Sequence, residues 1–232
     1  MVRYSNRHFI YAFSDTVNDL PTRSTRSRPT APMNPLLQAA GVGFTRSGEL
    51  VFEPVDVALQ AGQALVVSGP NGSGKTTLLR VLAGILAPAV GRLERNATLA
   101  FLGHLAAVKG DLSCRENLEF SRRFSGQPGL SINQAMARVG LAGLGLRPAR
   151  ALSAGQKRRV GLAGLLVARR EIWLLDEPYA SLDDAGGSLV DSLLEEHLAA
   201  GGCVALSTHQ RQPQLSCDVD RLVIQPAARQ AA

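Results

Sequence analysis

The chain has 232 residues, of which 45% are hydrophobic and 19% are charged, and its formal net charge is +6 at pH 7. These values are ordinary for a globular protein, and no run approaches the ~18 to 20 apolar residues of a membrane-spanning helix, so membrane association is expected only through partners. The three cysteines are widely spaced without a Cys-x-x-Cys pair, which argues against a disulfide framework, a zinc site or a redox centre.

The first 32 residues differ in character from the rest of the chain. They hold half of the positive excess, because five arginines stand against two aspartates. Residues 21–35 are rich in Pro, Thr, Ser and Arg and lack periodicity, which predicts disorder, and no apolar stretch suits a secretory signal. Since Met33 opens a natural start, we interpret residues 1–32 as a disordered extension or an upstream start assignment.

Apolar patterns then alternate between strand and helix periods along residues 33–232, which we interpret as one domain. Strands are predicted at residues 36–43, 50–59, 64–68, 99–103, 172–175 and 204–207. Helices are predicted at residues 75–83, 115–124, 132–139, 154–168 and 188–200. This alternation predicts a mainly parallel α/β core, interrupted by a helical insert at about residues 105–155.

A complete phosphate-binding loop lies between the strand at 64–68 and the helix at 75–83. It reads Gly69, Pro70, Asn71, Gly72, Ser73, Gly74, Lys75 and Thr76, with Thr77 following in the helix. The glycines let the backbone curl so that N–H groups face a phosphate, and the helix adds the positive end of its dipole. Lys75 is expected to reach the β- and γ-phosphates and Thr76 to ligate Mg²⁺. The chain is therefore predicted to bind a nucleoside triphosphate.

Two carboxylates follow the apolar strand at 172–175. Asp176 and Glu177 stand where it ends, and ligands of open α/β sheets bind at such carboxyl ends. Because neighbouring residues on a strand point to opposite sides, we expect separate roles for the two acids. Asp176 is expected to hold Mg²⁺, and Glu177 to polarise the water that attacks the γ-phosphate.

Further motifs resemble those of ATP-binding cassette (ABC) ATPases. Residues 152–156 read Leu-Ser-Ala-Gly-Gln, with Ser153 as a good helix N-cap, and are similar to that family's signature with alanine at the first glycine. Residues 181–183 match its D-loop, and His209 matches its switch histidine. The motifs stand in the family's order over about residues 36–225. The resemblance implies a P-loop NTPase core with an antiparallel β subdomain and a helical insert.

The resemblance also implies how the nucleotide is bound and cleaved. Two cassettes would form an ATP-dependent homodimer, with each ATP between the phosphate loop of one and Ser153, Gly155 and Gln156 of the other. His209 would touch the same phosphate and act in catalysis with Lys75 and Glu177, with Mg²⁺ as the metal.

Two positions are uncertain against the family pattern, and His197 belongs to none of the family motifs. The glutamine that senses Mg²⁺ in the family is replaced by His104, whose ring can still hydrogen-bond water or metal. Phe44 is the best candidate for the aromatic ring that stacks on adenine, with Arg46 as an alternative stacking plane. His197 follows Glu195 and Glu196, so we expect it on the solvated face of a helix.

A finer resemblance concerns the cargo. Residues 101–104, 108–109, 112–118, 152–160 and 173–179 are similar to the ATP-binding subunits of cytochrome c maturation systems, the haem exporter ATPases. This implies a peripheral subunit on the cytoplasmic side of a bacterial inner membrane, docked to integral membrane subunits, with no nucleic acid expected. One alternative is an ABC ATPase for another cargo. The other is a non-transport ABC ATPase that acts on ribosomes or DNA, which only the arginine-rich residues 1–32 favour.

Overall fold

Strands predicted from short apolar runs form most of a parallel sheet. The computed structural model describes residues 34–104, 108–124, 129–209 and 211–227, so the extension predicted at residues 1–32 lies outside the described residues. Five strands pair in the order β10-β5-β9-β8-β7, every neighbour parallel. They are β5 (Ala64–Ser68), β7 (Leu99–Leu102), β8 (Ile172–Asp176), β9 (Cys203–Ser207) and β10 (Val219–Val223).

The two faces of this sheet bury separate hydrophobic clusters. Trp173 and Leu175 of β8 enter the cluster shared with the helical insert and helix α5 (Asp184–Ala199). Ile172 and Leu174 of the same strand enter the cluster shared with helix α1 (Lys75–Leu82). Strands covered on both faces read as continuous apolar runs, and this is why β8 and β9 were predictable. The carboxyl ends of these strands carry the candidate site.

An antiparallel sheet covers the α1 side, in the order β4-β1-β6. Its strands are β1 (Leu37–Gly43), β4 (Val55–Leu59) and β6 (Val90–Arg95), beside a ribbon of β2 (Thr45–Arg46) and β3 (Glu49–Leu50). The single strand predicted at 50–59 is wrong. It divides between β3 and β4, since buried Phe52 pairs instead with Pro226 and Pro54 has no N–H to donate.

Helices and turns occupy the segment in which the helical insert was predicted. It contains α2 (Cys114–Arg123), α3 (Ile132–Arg138) and a 3₁₀ turn (Ala149–Ala151), and it leads into α4 (Ala154–Val167). Each α-helix of this region begins with a capping box, in which a serine caps a backbone N–H three residues on and a Glu or Gln there caps back. Among the residues that the structure describes, no helix combines the length and the apolar character that crossing a bilayer requires.

Candidate active site

The phosphate loop has the backbone conformation that its glycines predict. Gly69, Gly72 and Gly74 have φ of +143°, +80° and +100°. A Cβ at Gly69 would lie 2.4 Å from the carbonyl oxygen of Ile224, and one at Gly74 would lie 2.8 Å from the ring of Phe52. Both conformation and space therefore restrict these two positions to glycine. Phe52, between β3 and β4, and Ile224, directly after β10, thus lie against the loop.

Lys75 lies folded over the loop that precedes it. Its Nζ donates to the carbonyl oxygens of Gly69 at 2.9 Å and Pro70 at 3.0 Å, and the residue is 9% exposed. Helix α1 begins after Gly74 without a side-chain cap, so its first N–H groups are free to face an anion. Pro70, Asn71 and Gly72 of the loop are exposed, so an anion can approach the loop from solvent. The arrangement suits a polyphosphate.

Asp176 joins the end of β8 to the beginning of α1. Thr76 Oγ1 lies 2.9 and 3.0 Å from its two carboxylate oxygens, and Ser207 Oγ donates to Oδ1 at 2.7 Å. The carboxylate is 1% exposed. Hydroxyl and carboxylate oxygens are the ligands that Mg²⁺ prefers, and the described residues contain no group of three or more His, Cys, Asp or Glu that could hold a metal ion by itself. A site with so few protein ligands suits a magnesium ion that a nucleotide also coordinates.

Glu177 lies outside the strand, in a conformation that the sequence did not reveal. Strand β8 ends at Asp176, and Glu177 has φ of +53°, so its direction does not come from strand alternation as we expected. Its N–H donates to Ser207, with Oγ at 3.1 Å and the carbonyl oxygen at 3.2 Å. The two acids nevertheless have separate partners, because Glu177 Oε1 lies 2.7 Å from His209 Nδ1. A carboxylate paired with an imidazole can accept a proton from water.

The signature residues form a capped helix start that packs on the D-loop. Ser153 Oγ accepts the N–H of Gln156 at 3.2 Å, and Gln156 Oε1 accepts the N–H of Ser153 at 3.0 Å, so the predicted N-cap is confirmed. A Cβ at Gly155 would lie 2.7 Å from the carbonyl oxygen of Ser181. In the described residues no hydrogen bond joins residues 152–156 to the phosphate loop of the same chain.

Arg158 is a buried arginine that sequence reasoning missed. It is 4% exposed on α4, and its guanidinium donates to the carbonyl oxygens of Gly103, at 2.9 Å, and His104. Burial lowers the pKa of Arg158, while the charges of Asp176 and Glu177 oppose this shift. The residue therefore links the signature helix to the end of β7. Its signal in the sequence, a basic residue among three in a row, does not distinguish it from a solvated charge.

His104, Phe44 and His197 have different outcomes. His104 follows β7 beside the end of β8 and is exposed, so its role toward metal stays a prediction. Phe44 is half-buried on the core below the antiparallel sheet, and adenine stacking also stays a prediction. The expected solvated position of His197 is wrong. Its ring stacks on Trp173 with centroids 3.9 Å apart, and burial lowers its pKa to about 4.

Comparison with known proteins decides what this site belongs to. The sequence profile of the ABC transporter family matches residues 52–180, from buried Phe52 to the segment after Glu177. The chain belongs to the ABC transporter family. It is thus an ATP-binding subunit that hydrolyses ATP.

Several members of the family are similar to this ABC ATPase over most of its length. The cytochrome c biogenesis ATP-binding export protein CcmA of Cupriavidus necator is 41% identical, over 84% of this chain and 92% of that protein. The protein of the same name from Mesorhizobium japonicum is 46% identical, over 75% of this chain and 91% of its own. The solved structure of cbiO1 from Clostridium perfringens, part of the ABC transporter complex cbiONQ, has a TM-score of 0.67 at 26% identity, over 83% and 86% of the two chains.

Proposed function

We propose that this ABC ATPase powers the export of haem, or its release to a haem chaperone, in cytochrome c biogenesis. The observation that carries the proposal is the similarity, over most of both chains, to two ATP-binding export proteins named for cytochrome c biogenesis. The subunit that hydrolyses ATP need not touch haem. The half-buried His197 packs its ring against Trp173, and its Nε2 lies 3.3 Å from the carbonyl oxygen of Cys203.

The proposed chemistry follows from the site. Residues 69–77 would hold the phosphates, with Lys75 as the cation among them, while Thr76 and Asp176 would hold Mg²⁺, which would neutralise charge on the β- and γ-phosphates when bound. Glu177 accepts a proton as the oxygen of water bonds to the γ-phosphorus and the bond from that phosphorus to the β,γ-bridging oxygen breaks, giving ADP and phosphate. His209, 2.7 Å from Glu177, orients the carboxylate and reaches the γ-phosphate. We propose that His104 contacts the magnesium ion or one of its water ligands, and that the Phe44 ring stacks on adenine.

A homodimer completes this site. Ser153 and Ala154 at the start of α4 are exposed, as are Pro70, Asn71 and Gly72 of the phosphate loop. The two positive surfaces would share one γ-phosphate if two copies face each other head to tail, with Ser153, Gly155 and Gln156 on the far side of the nucleotide. Cleavage removes the charge that holds the copies together, so the dimer opens after hydrolysis.

The proposed location is the cytoplasmic face of a bacterial inner membrane, bound to integral membrane subunits. Phe120 and Phe124 of the helical insert are 48% and 70% exposed and lie 4.6 Å apart between ring centroids, next to Lys109. Such an exposed aromatic pair is typical of protein contact surfaces. This supports docking through the insert.

Deleting the gene and staining for covalent haem in c-type cytochromes tests the cargo. The stain should be lost in the deletion strain, return with the intact gene and stay absent with Glu177→Gln. Normal c-type cytochromes in the deletion strain would reject haem export and favour another cargo, while leaving the ATPase assignment unaffected.

A further inference from the structure

One buried carboxylate contacts both chain segments that carry the Glu177–His209 pair. Asp191, on α5, is 7% exposed. The hydroxyl of Tyr179, two residues after Glu177, donates to Asp191 Oδ1 at 2.6 Å. The guanidinium of Arg211, two residues after His209, donates to Asp191 Oδ2 at 2.9 Å. The segment after Glu177 and the segment after His209 are therefore both anchored to the Asp191 carboxylate.

The surroundings of this carboxylate are fitted to the arginine. The Arg211 guanidinium lies 5.7 Å from the centroid of the Tyr179 ring. A Cβ at Gly187, one turn before Asp191 on α5, would lie 2.3 Å from Arg211 Nη1, so glycine there leaves room for the cation. The backbone N–H of Gln214 also donates to Asp191, at 3.3 Å. Three donors share this buried carboxylate. Neutralising Asp191 would therefore leave the half-buried Arg211 guanidinium without its counter-charge.

The network reaches His209 along short connections. Thr208, the residue before His209, donates its hydroxyl to the carbonyl oxygen of Arg211 at 2.6 Å, which ties the segment before the histidine to Arg211. On the other side, Glu177 has the left-handed φ of +53°, a conformation that a side-chain-bearing residue keeps only when its neighbours hold it. Burial and the hydrogen bond to Asp191 raise the pKa of Tyr179, so the phenol stays a donor at physiological pH.

We propose that Asp191 is a positioning residue for ATP hydrolysis, which keeps His209 within hydrogen-bond distance of Glu177 through Arg211 and Tyr179. The inference rests on the proposed roles of Glu177 and His209. Asp191 itself contacts no reacting group, and its effect passes through the histidine. If Asp191 only joined α5 to the neighbouring loops, its substitution would lower the stability of the fold and leave the contribution of His209 to ATP hydrolysis unchanged.

The test compares Asp191→Asn in two backgrounds of the full-length chain. In the native background we expect kcat to fall by about tenfold, with the KM for ATP changed by less than about twofold, because binding groups are untouched. In the His209→Ala background the same substitution should change kcat by less than about twofold, since its route to the site is gone. Thermal unfolding of each variant is measured alongside.

Glu195→Gln is the matched control. Glu195 lies on the same helix and accepts the N–H of Ser216 at 2.8 Å, so it holds the same following segment at a greater distance from His209. The control should keep its kcat within about twofold. Should Asp191→Asn unfold, Tyr179→Phe replaces it, since it removes only one hydroxyl and is expected to lower kcat by about threefold in the native background alone.

Each outcome decides. Equal losses of kcat in both backgrounds, or no loss in the native one, would overturn the positioning role of Asp191. Unimpaired turnover in His209→Ala alone would overturn the proposed role of the histidine and this inference with it. A loss confined to the native background supports both.

Discussion

Replacing Glu177 by glutamine separates chemistry from structure at this site. The side chain is 12% exposed and its one described side-chain contact is to His209, at 2.7 Å. An amide of the same shape can keep that contact, and the backbone N–H still reaches Ser207. We therefore expect the free energy of unfolding to change by less than ~1 kcal/mol. The amide cannot accept a proton from water, so turnover should fall by at least ~10²-fold, or about 2.7 kcal/mol of activation free energy.

Phosphate release by the purified chain, with its membrane subunits supplied, measures this loss. ATP binding should persist, and gel filtration with Mg²⁺-ATP should show a trapped dimer, because the γ-phosphate is no longer removed. Glu171→Gln is the control, since the Glu171 carboxylate also accepts hydrogen bonds, from the N–H and the hydroxyl of Thr98, but directly before the opposite end of β8. Turnover of Glu177→Gln equal to that of the control would refute the assignment of the general base.

Three further substitutions test other parts of the site. Gly155→Ala should lower turnover by about tenfold with unchanged nucleotide binding by the monomer, because its Cβ would lie 2.7 Å from the Ser181 carbonyl and move the signature; normal dimer formation by light scattering would contradict this. Arg158→Met should cost ~2 kcal/mol or more in denaturant unfolding, because the carbonyl groups of Gly103 and His104 lose a charged donor, and a cost under ~0.5 kcal/mol would contradict it. The depressed pKa of His197 means that the unfolded chain binds more protons below its ordinary pKa of 6.5, so stability should fall as pH drops from 6.5 towards 4. His197→Phe, which keeps the stack on Trp173, should flatten that dependence by ~2 to 3 kcal/mol in thermal or denaturant unfolding; an unaltered pH profile would contradict the burial argument.

Local motifs were predictable because their chemistry is contained in a few consecutive residues. The phosphate loop holds its glycines, cation and hydroxyl within eight positions, and the N-cap at Ser153 involves only four. The buried strands were equally clear, since both of their faces are apolar. By contrast, β6 is exposed along most of its length and half of its residues are charged. β10, at the sheet edge, mixes Asp and Arg with valines, so neither strand shows a strand period.

Features of the site that depend on contacts with distant segments could not be predicted from the sequence in the same way. His197 follows two glutamates, which indicates a solvated face, yet β8 brings the Trp173 ring under it. The left-handed conformation of Glu177 depends on Ser207, thirty residues on, and nothing near Glu177 in the sequence announces it. Arg158 resembles its basic neighbours until the fold buries it against the carbonyls after β7. In each case the deciding partner lies on another element.

The same distinction divides the active site into two kinds of residue. Groups that meet the nucleotide stand in recognisable motifs, because phosphate chemistry fixes both their type and their spacing. Groups that hold those motifs in register, such as Asp191 and Arg211, are fixed only by what the fold places beside them, and other pairs of side chains could do the same work. Substitutions in the first kind should therefore fail in any background. Those in the second should be rescued by a compensating change in their partner, and this difference separates contact from support experimentally.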